Sequence, residues 1–150
     1  MIEAIDMPPA GDKPLRFAGY AALFDKVDGG GDILRRGAFA RSLARHQEQA
    51  TRIPLLWQHR PEVRIGWIER AEEDARGLRV VAVLDDPKGM PARLLDGRKL
   101  SGISFGYRAT KSAPGSLAGR RVRELAEVEL IEVSLVTRPM QHGARVHLID

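Results

Sequence analysis

Apolar residues along this chain recur in short runs and at period two, more often than at helical spacing. The segment 15–24 (LRFAGYAALF) is apolar with strand-type aromatics and predicts a strand. It gives way at 25–32 to Asp25, Asp28 and Asp32 around Gly29, Gly30 and Gly31, a loop by composition. In 37–49 the residues Phe39, Leu43 and Ala44 form a weak helical stripe. Four strand-like pieces follow. Segment 53–57 is short and apolar, and 63–71 sets Val63, Ile65 and Trp67 at period two. Segment 76–84 (RGLRVVAVL) is β-branched, and 101–110 alternates more loosely. Between the last two, 91–100 reads as a helix entered through Pro91. Ala113, Pro114, Gly115 and Ser116, with Gly119, predict a hairpin connection. Segment 121–137 is long and β-rich with a bend near Glu127, and 146–149 closes an edge. About seven strands and two short flanking helices, without regular crossover helices, predict an antiparallel sheet or small barrel. They argue against a doubly wound sheet.

A chain of 150 residues fits one domain, here 15–150 behind a lead-in at 1–14 that contains Pro8 and Pro9. The absence of cysteine excludes disulfides, a cysteine nucleophile and thiolate metal sites. No apolar run approaches the roughly 20 residues of a membrane span. The first twenty residues hold no signal-peptide core, so a cytoplasmic protein with no membrane partner is expected. The net charge of +4 is spread along the chain, and aromatics are only 5%. That fits acidic protein partners better than a specific nucleic-acid partner.

Gly102-Ile103-Ser104-Phe105-Gly106 matches G-x-S-x-G, which in α/β-hydrolases places serine on a strand-to-helix turn. Here the following residues look extended, so the motif reads either as a serine at a strand bulge or as a nucleophile. Ser101 is a second nearby hydroxyl, and Ser104 is the more enclosed choice. A serine nucleophile needs a base. His46 on the first helix reads as a solvated surface residue, and His142 and His147 lie in the tail. His59 follows an apolar strand by two residues, at the mouth of a loop, where it is either structural or a base. Among Glu124, Glu127, Glu129 and Glu132, the last is embedded in 130–136 (LIEVSLV), where a carboxylate is costly unless paired. Alternation puts it on the same face as Ser134 and Val136. The aspartates around the triple glycine do not meet the EF-hand spacing and read as a turn or flap. Those glycines precede no P-loop lysine.

The order of blocks says more than any one of them. Gly19-Tyr20-Ala21 leads to Phe24, then Asp32-Ile33 to Gly37-Ala38-Phe39. Leu56-Trp57-Gln58-His59 and Ile65-Gly66 come next. Gly102 to Tyr107, the run from Glu132 to Pro139, and Ala144-Arg145-Val146 complete the series. From about Arg16 to Val146 the chain resembles the prohead, or capsid-maturation, serine proteases of tailed phages. That family is related in fold to the herpesvirus assembly proteases.

The resemblance implies a mainly β fold with flanking helices (α+β), a small antiparallel β-barrel like that of the herpesvirus proteases. It implies a serine endopeptidase with His59 as base, Ser104 as nucleophile and Glu132 as orienter, using no metal or organic cofactor. The segment Pro139-Met140-Gln141-His142 departs from the family's usual Pro-Ala-Asn and leaves His142 as an alternative orienter. The implied substrates are scaffold protein and the major capsid protein, cut inside an assembling procapsid in a bacterial cytoplasm. Self-cleavage and a homo-oligomer are compatible with this reading. Oxyanion donors are sought near Gly106 or around Arg120 and Arg121. Arginine outnumbers lysine 19 to 5, which suggests a GC-rich genome and leaves phage and gene transfer agent both open. Two rivals stand beside it: a non-catalytic assembly or scaffold-binding module on the same fold, and an esterase built on G-x-S-x-G.

Overall fold

A computed structural model of the protein describes residues 14–138, 143 and 146–149. Among them the order is β1 (Leu15–Leu23), β2 (Asp32–Leu34), α1 (Ala40–Gln49), β3 (Pro54–Trp57) and β4 (Arg60–Glu73). It continues with β5 (Gly77–Leu84), α2 (Met90–Asp96), β6 (Gly102–Leu117), β7 (Arg120–Val136) and β8 (Val146–Ile149). The strands form one sheet that curls into a half-barrel, mainly β with two helices as expected. The lead-in lies outside the described residues apart from Pro14.

Alternation drives the packing. In β5 the residues Leu78, Val80, Ala82 and Leu84 point inward and are at most 2% exposed. They meet Phe17 of β1, Leu55 of β3, Ile103 and Phe105 of β6, and Leu125, Leu130, Val133 and Leu135 of β7 in one core. Each large side chain buried this way contributes roughly 1.5–3 kcal/mol. Phe39 packs edge-on against Phe105, which stacks on Tyr107.

Strand β7 is the axis of the sheet. One of its edges carries β6, antiparallel along its whole length. The other edge takes two separate partners, both parallel: β2 against Arg123–Leu125 and β3 against Val133–Leu135. The sheet is therefore mixed, where the sequence predicts an antiparallel one. The gap between those partners is filled by α1 and the residues before it. The Val128 N–H donates to the Ala38 carbonyl at 3.0 Å, and the Leu130 N–H to Ser42 Oγ at 2.9 Å. The helix thus presents Ser42, 1% exposed, to the sheet, while Ala44 of the predicted stripe is exposed. His46 is no solvated residue. Its Nε2–H donates to the Leu130 carbonyl at 3.0 Å, because a carbonyl only accepts, so Nδ1 accepts from Thr51 Oγ1 at 2.7 Å.

Two hairpins close on two-residue turns with positive φ at both central positions, the type I′ signature that suits the strand twist. They are Gln58-His59 between β3 and β4, and Ala118-Gly119 between β6 and β7. The second turn falls at the Gly119 end of the predicted connection, while Ala113–Ser116 stay in strand. Pro114 and Gly115 run on inside β6, a strand with one unpaired edge where a missing N–H is tolerated.

Candidate active site

Register brings the chemistry-bearing residues together. Ser104 of β6 pairs with Ser134 of β7, and Gly106 with Glu132. The next pair is Tyr107 with Leu130, so Ile131 is an extra residue on β7. This bulge lets Val133 and Leu130 both face the core while Glu132 stays on the other face with Ser134 and Ser104. That face is covered here as well: Glu132 is 7% exposed, Ser104 4% and Ser134 0%.

His59 reaches this face from the β3–β4 turn. Leu56 of β3 pairs with Ser134, which places the turn beside 135–137. Three hydrogen bonds pin it there. The Gln58 N–H donates to the Leu135 carbonyl at 2.9 Å, the His59 N–H to Ser134 Oγ at 3.1 Å, and the Thr137 N–H to Gln58 Oε1 at 3.2 Å. Both turn residues hold φ values, 51° and 60°, that side-chain-bearing residues rarely adopt. The imidazole folds back so that Nδ1 lies 2.5 Å from Glu132 Oε1, and Glu132 Oε2 accepts from the Ser134 hydroxyl at 2.6 Å. Glu132 itself crosses over Gly106. A methyl group there would lie 2.9 Å from the carboxyl carbon, so glycine is needed for space and not for a turn.

Glu132 raises the His59 pKa above its ordinary value of 6.5, chiefly through the hydrogen bond and then through its charge; partial burial opposes it. In the neutral ring the proton sits on Nδ1, because the carboxylate can only accept. Nε2 is left with a free lone pair and makes no hydrogen bond to a described residue. Ser104 and His59 are not hydrogen-bonded to each other, and the serine meets the pair through its register partner Ser134.

A second polar cluster explains the aspartate loop. Arg123 holds Asp32 with two bonds of 2.9 Å, and the Tyr107 hydroxyl donates to it at 2.7 Å. The Asp32 carboxyl lies below its ordinary range because of Arg123, with burial opposing. Burial, then Asp32, pushes the Tyr107 hydroxyl up to about 12. Asp28 accepts from the backbone N–H groups of Gly30 and Asp32, a turn built on an aspartate. These side chains tie the loop to β6 and β7.

His142 lies outside the described residues. Arg120 and Arg121 pair with Leu117 and Ser116 at the hairpin tip, about 40 Å along the strand from Ser104. Ser104 is the third residue of β6, which runs on for thirteen more residues to Leu117, so the strand-to-helix elbow of an esterase is not formed. A groove of about 890 Å³ between α1 and β4 contains none of Ser104, His59 and Glu132. Alternation in the sequence put Ser134 on the Glu132 face, but neither the two hydrogen bonds of Ser134 nor the space that Gly106 leaves for Glu132 was legible there.

A curled half-barrel of this kind is the fold of the herpesvirus proteases. Among solved structures, the varicella-zoster virus protease is 17% identical with a TM-score of 0.56, over 91% of this chain and 64% of that one. The protease of Kaposi's sarcoma-associated herpesvirus, in complex with a hexapeptide phosphonate inhibitor, is 15% identical with a TM-score of 0.55, over 92% and 66%. At these identities the likeness is one of fold. The caudovirus prohead serine protease family matches residues 3–150, and the chain belongs to that family. The prohead protease of Enterobacteria phage HK97 is 28% identical over 134 residues, 87% of this chain and 58% of that protein. The chain thus spans less than two thirds of the length of this relative.

Proposed function

We propose that the protein is a serine endopeptidase of capsid maturation, with Ser104 as nucleophile, His59 as base and Glu132 as orienter. The observation that carries this reading is the 2.5 Å contact between His59 Nδ1 and Glu132 Oε1, on the face that Ser104 shares. Ser104 Oγ attacks the scissile carbonyl carbon, and its proton passes to His59 Nε2. Both ring nitrogens are then protonated, and Glu132 stabilises the cation. His59 returns the proton to the leaving amine, and water repeats the sequence on the acyl-enzyme. The Ser104–His59 hydrogen bond forms in the substrate complex, where such bonds tighten. The sequence of steps uses no metal or organic cofactor.

The substrates are the major capsid protein and scaffold protein of the same particle, cut inside the procapsid of a phage or gene transfer agent. Self-cleavage and assembly into a homo-oligomer belong to the same reading. The missing Ser104–His59 bond favours one alternative, a non-catalytic assembly module on this fold. Co-expression with the cognate capsid protein separates the two. Wild type should yield a shortened capsid protein by mass, and Ser104→Ala only the full-length one. Full-length product from wild type would support the module.

A further inference from the structure

We propose that Ser134 is a positioning residue whose hydroxyl fixes, from one point, both the Glu132 carboxylate and the turn carrying His59. The proposal rests on the reading of His59 and Glu132 as base and orienter. A serine hydroxyl has one proton to give and two lone pairs to accept with. Its proton goes to Glu132 Oε2, since an ionised carboxylate only accepts, and a lone pair receives the His59 N–H. Glu132 is therefore held at both oxygens, one by the imidazole and one by Ser134, and cannot rotate away from the ring. The second bond acts on the other partner. His59 sits at φ 60°, a backbone state that persists only where surroundings enforce it, and Ser134 holds the N–H of that residue.

Position adds to this. Ser134 is fully buried and stands directly across the strand from Ser104, so the fixing point is level with the hydroxyl to be activated. Catalysis gains when base and orienter are set before substrate arrives. A merely structural serine would support stability and leave the ionisation of His59 unchanged. Glu132 is the charged group that shifts that ionisation, so the His59 midpoint reports whether the carboxylate stays aligned.

The test uses the whole protein with a fluorophosphonate probe, which acylates activated serines, and an NMR titration of His59. Ser134→Ala removes both bonds, the near-isosteric Ser134→Cys leaves only the weak donor and acceptor of a thiol, and Ser134→Thr keeps a hydroxyl. Both losses should slow the maximal labelling of Ser104 about tenfold, with the half-saturating probe concentration little changed. Both should also lower the His59 midpoint toward 6.5, and Ser134→Thr should restore rate and midpoint. Folded Ala and Cys variants with wild-type rate and midpoint, or a Thr variant that behaves like them, would overturn the proposal. If wild type is not labelled at Ser104, the peptidase reading fails. The His59 midpoints then still decide whether Ser134 holds the pair.

Discussion

Strand β7 carries four glutamates, and its two halves treat them differently. In the outer half each carboxylate is half-buried and faces cations that reach into solvent. Glu124 meets Arg35, Glu127 lies near Arg41 and Lys111, and Glu129 binds Arg108 at 2.7 Å and Arg45 at 3.3 Å. In the inner half Glu132 is buried, and its partners are an imidazole and a hydroxyl. An exposed pair is weakened by water, whereas a buried carboxylate must have its oxygens satisfied by fixed donors. The same residue type thus dresses the surface at one end of a strand and tunes a histidine at the other. Burial, rather than charge, makes the difference.

The sharpest way to break this contrast is at its inner end. His59→Ala should lower cleavage of the capsid substrate by about 10⁴-fold or more, and His59→Ala with Ser104→Ala should be little worse. Losses that add up in the double variant would mean that the two residues do not share a step.

Glu132→Gln keeps volume and should reduce the cleavage rate by about 10²–10³-fold, less than loss of His59. Its pH dependence carries more information. Glu132 holds the His59 midpoint above 6.5 in the folded chain. The contact therefore adds stability below pH 6.5, and this is lost as pH rises through the folded midpoint. The neutral base appears over that same rise. Rate–pH profiles should show the acid limb of wild type above 6.5 and that of Glu132→Gln shifted down toward it. An unshifted limb would separate Glu132 from the base.

At the outer end, Glu129→Gln should cost less than about 1 kcal/mol in a urea melt and leave the cleavage rate unchanged. A loss of activity there would erase the distinction between the halves.

Much of this contrast was legible beforehand. Glu132 stood out because Leu130, Ile131, Val133 and Leu135 surround it, and the strands of 15–24 and 76–84 followed from their apolar patterns. Other parts were not. Strand β2 is three residues at the end of a glycine-rich loop, and its pairing to β7 is set by a partner some ninety residues away. The bulge at Ile131 breaks no local pattern, since it arises from how two strands align. Alternation put Ser134 on the Glu132 face, but one hydroxyl in an apolar strand shows nothing of the two bonds it makes. The His46 ring was misread for the same reason: its partner Leu130 lies 84 residues on.

The bonds that join the β3–β4 turn to β7 and the residue after it span 73 to 79 residues of chain. Contacts of such long range form late, because the entropy of closing the intervening loop is lost before any bond rewards it. His59 is synthesised well before Glu132 and Ser134, which lie 73 and 75 residues further on. Until β7 is made and docked, His59 has no carboxylate to align it, and the proposed chemistry cannot begin. Topology itself acts as a timer: the proposed competence waits for β7, the strand that carries both partners of the His59 turn.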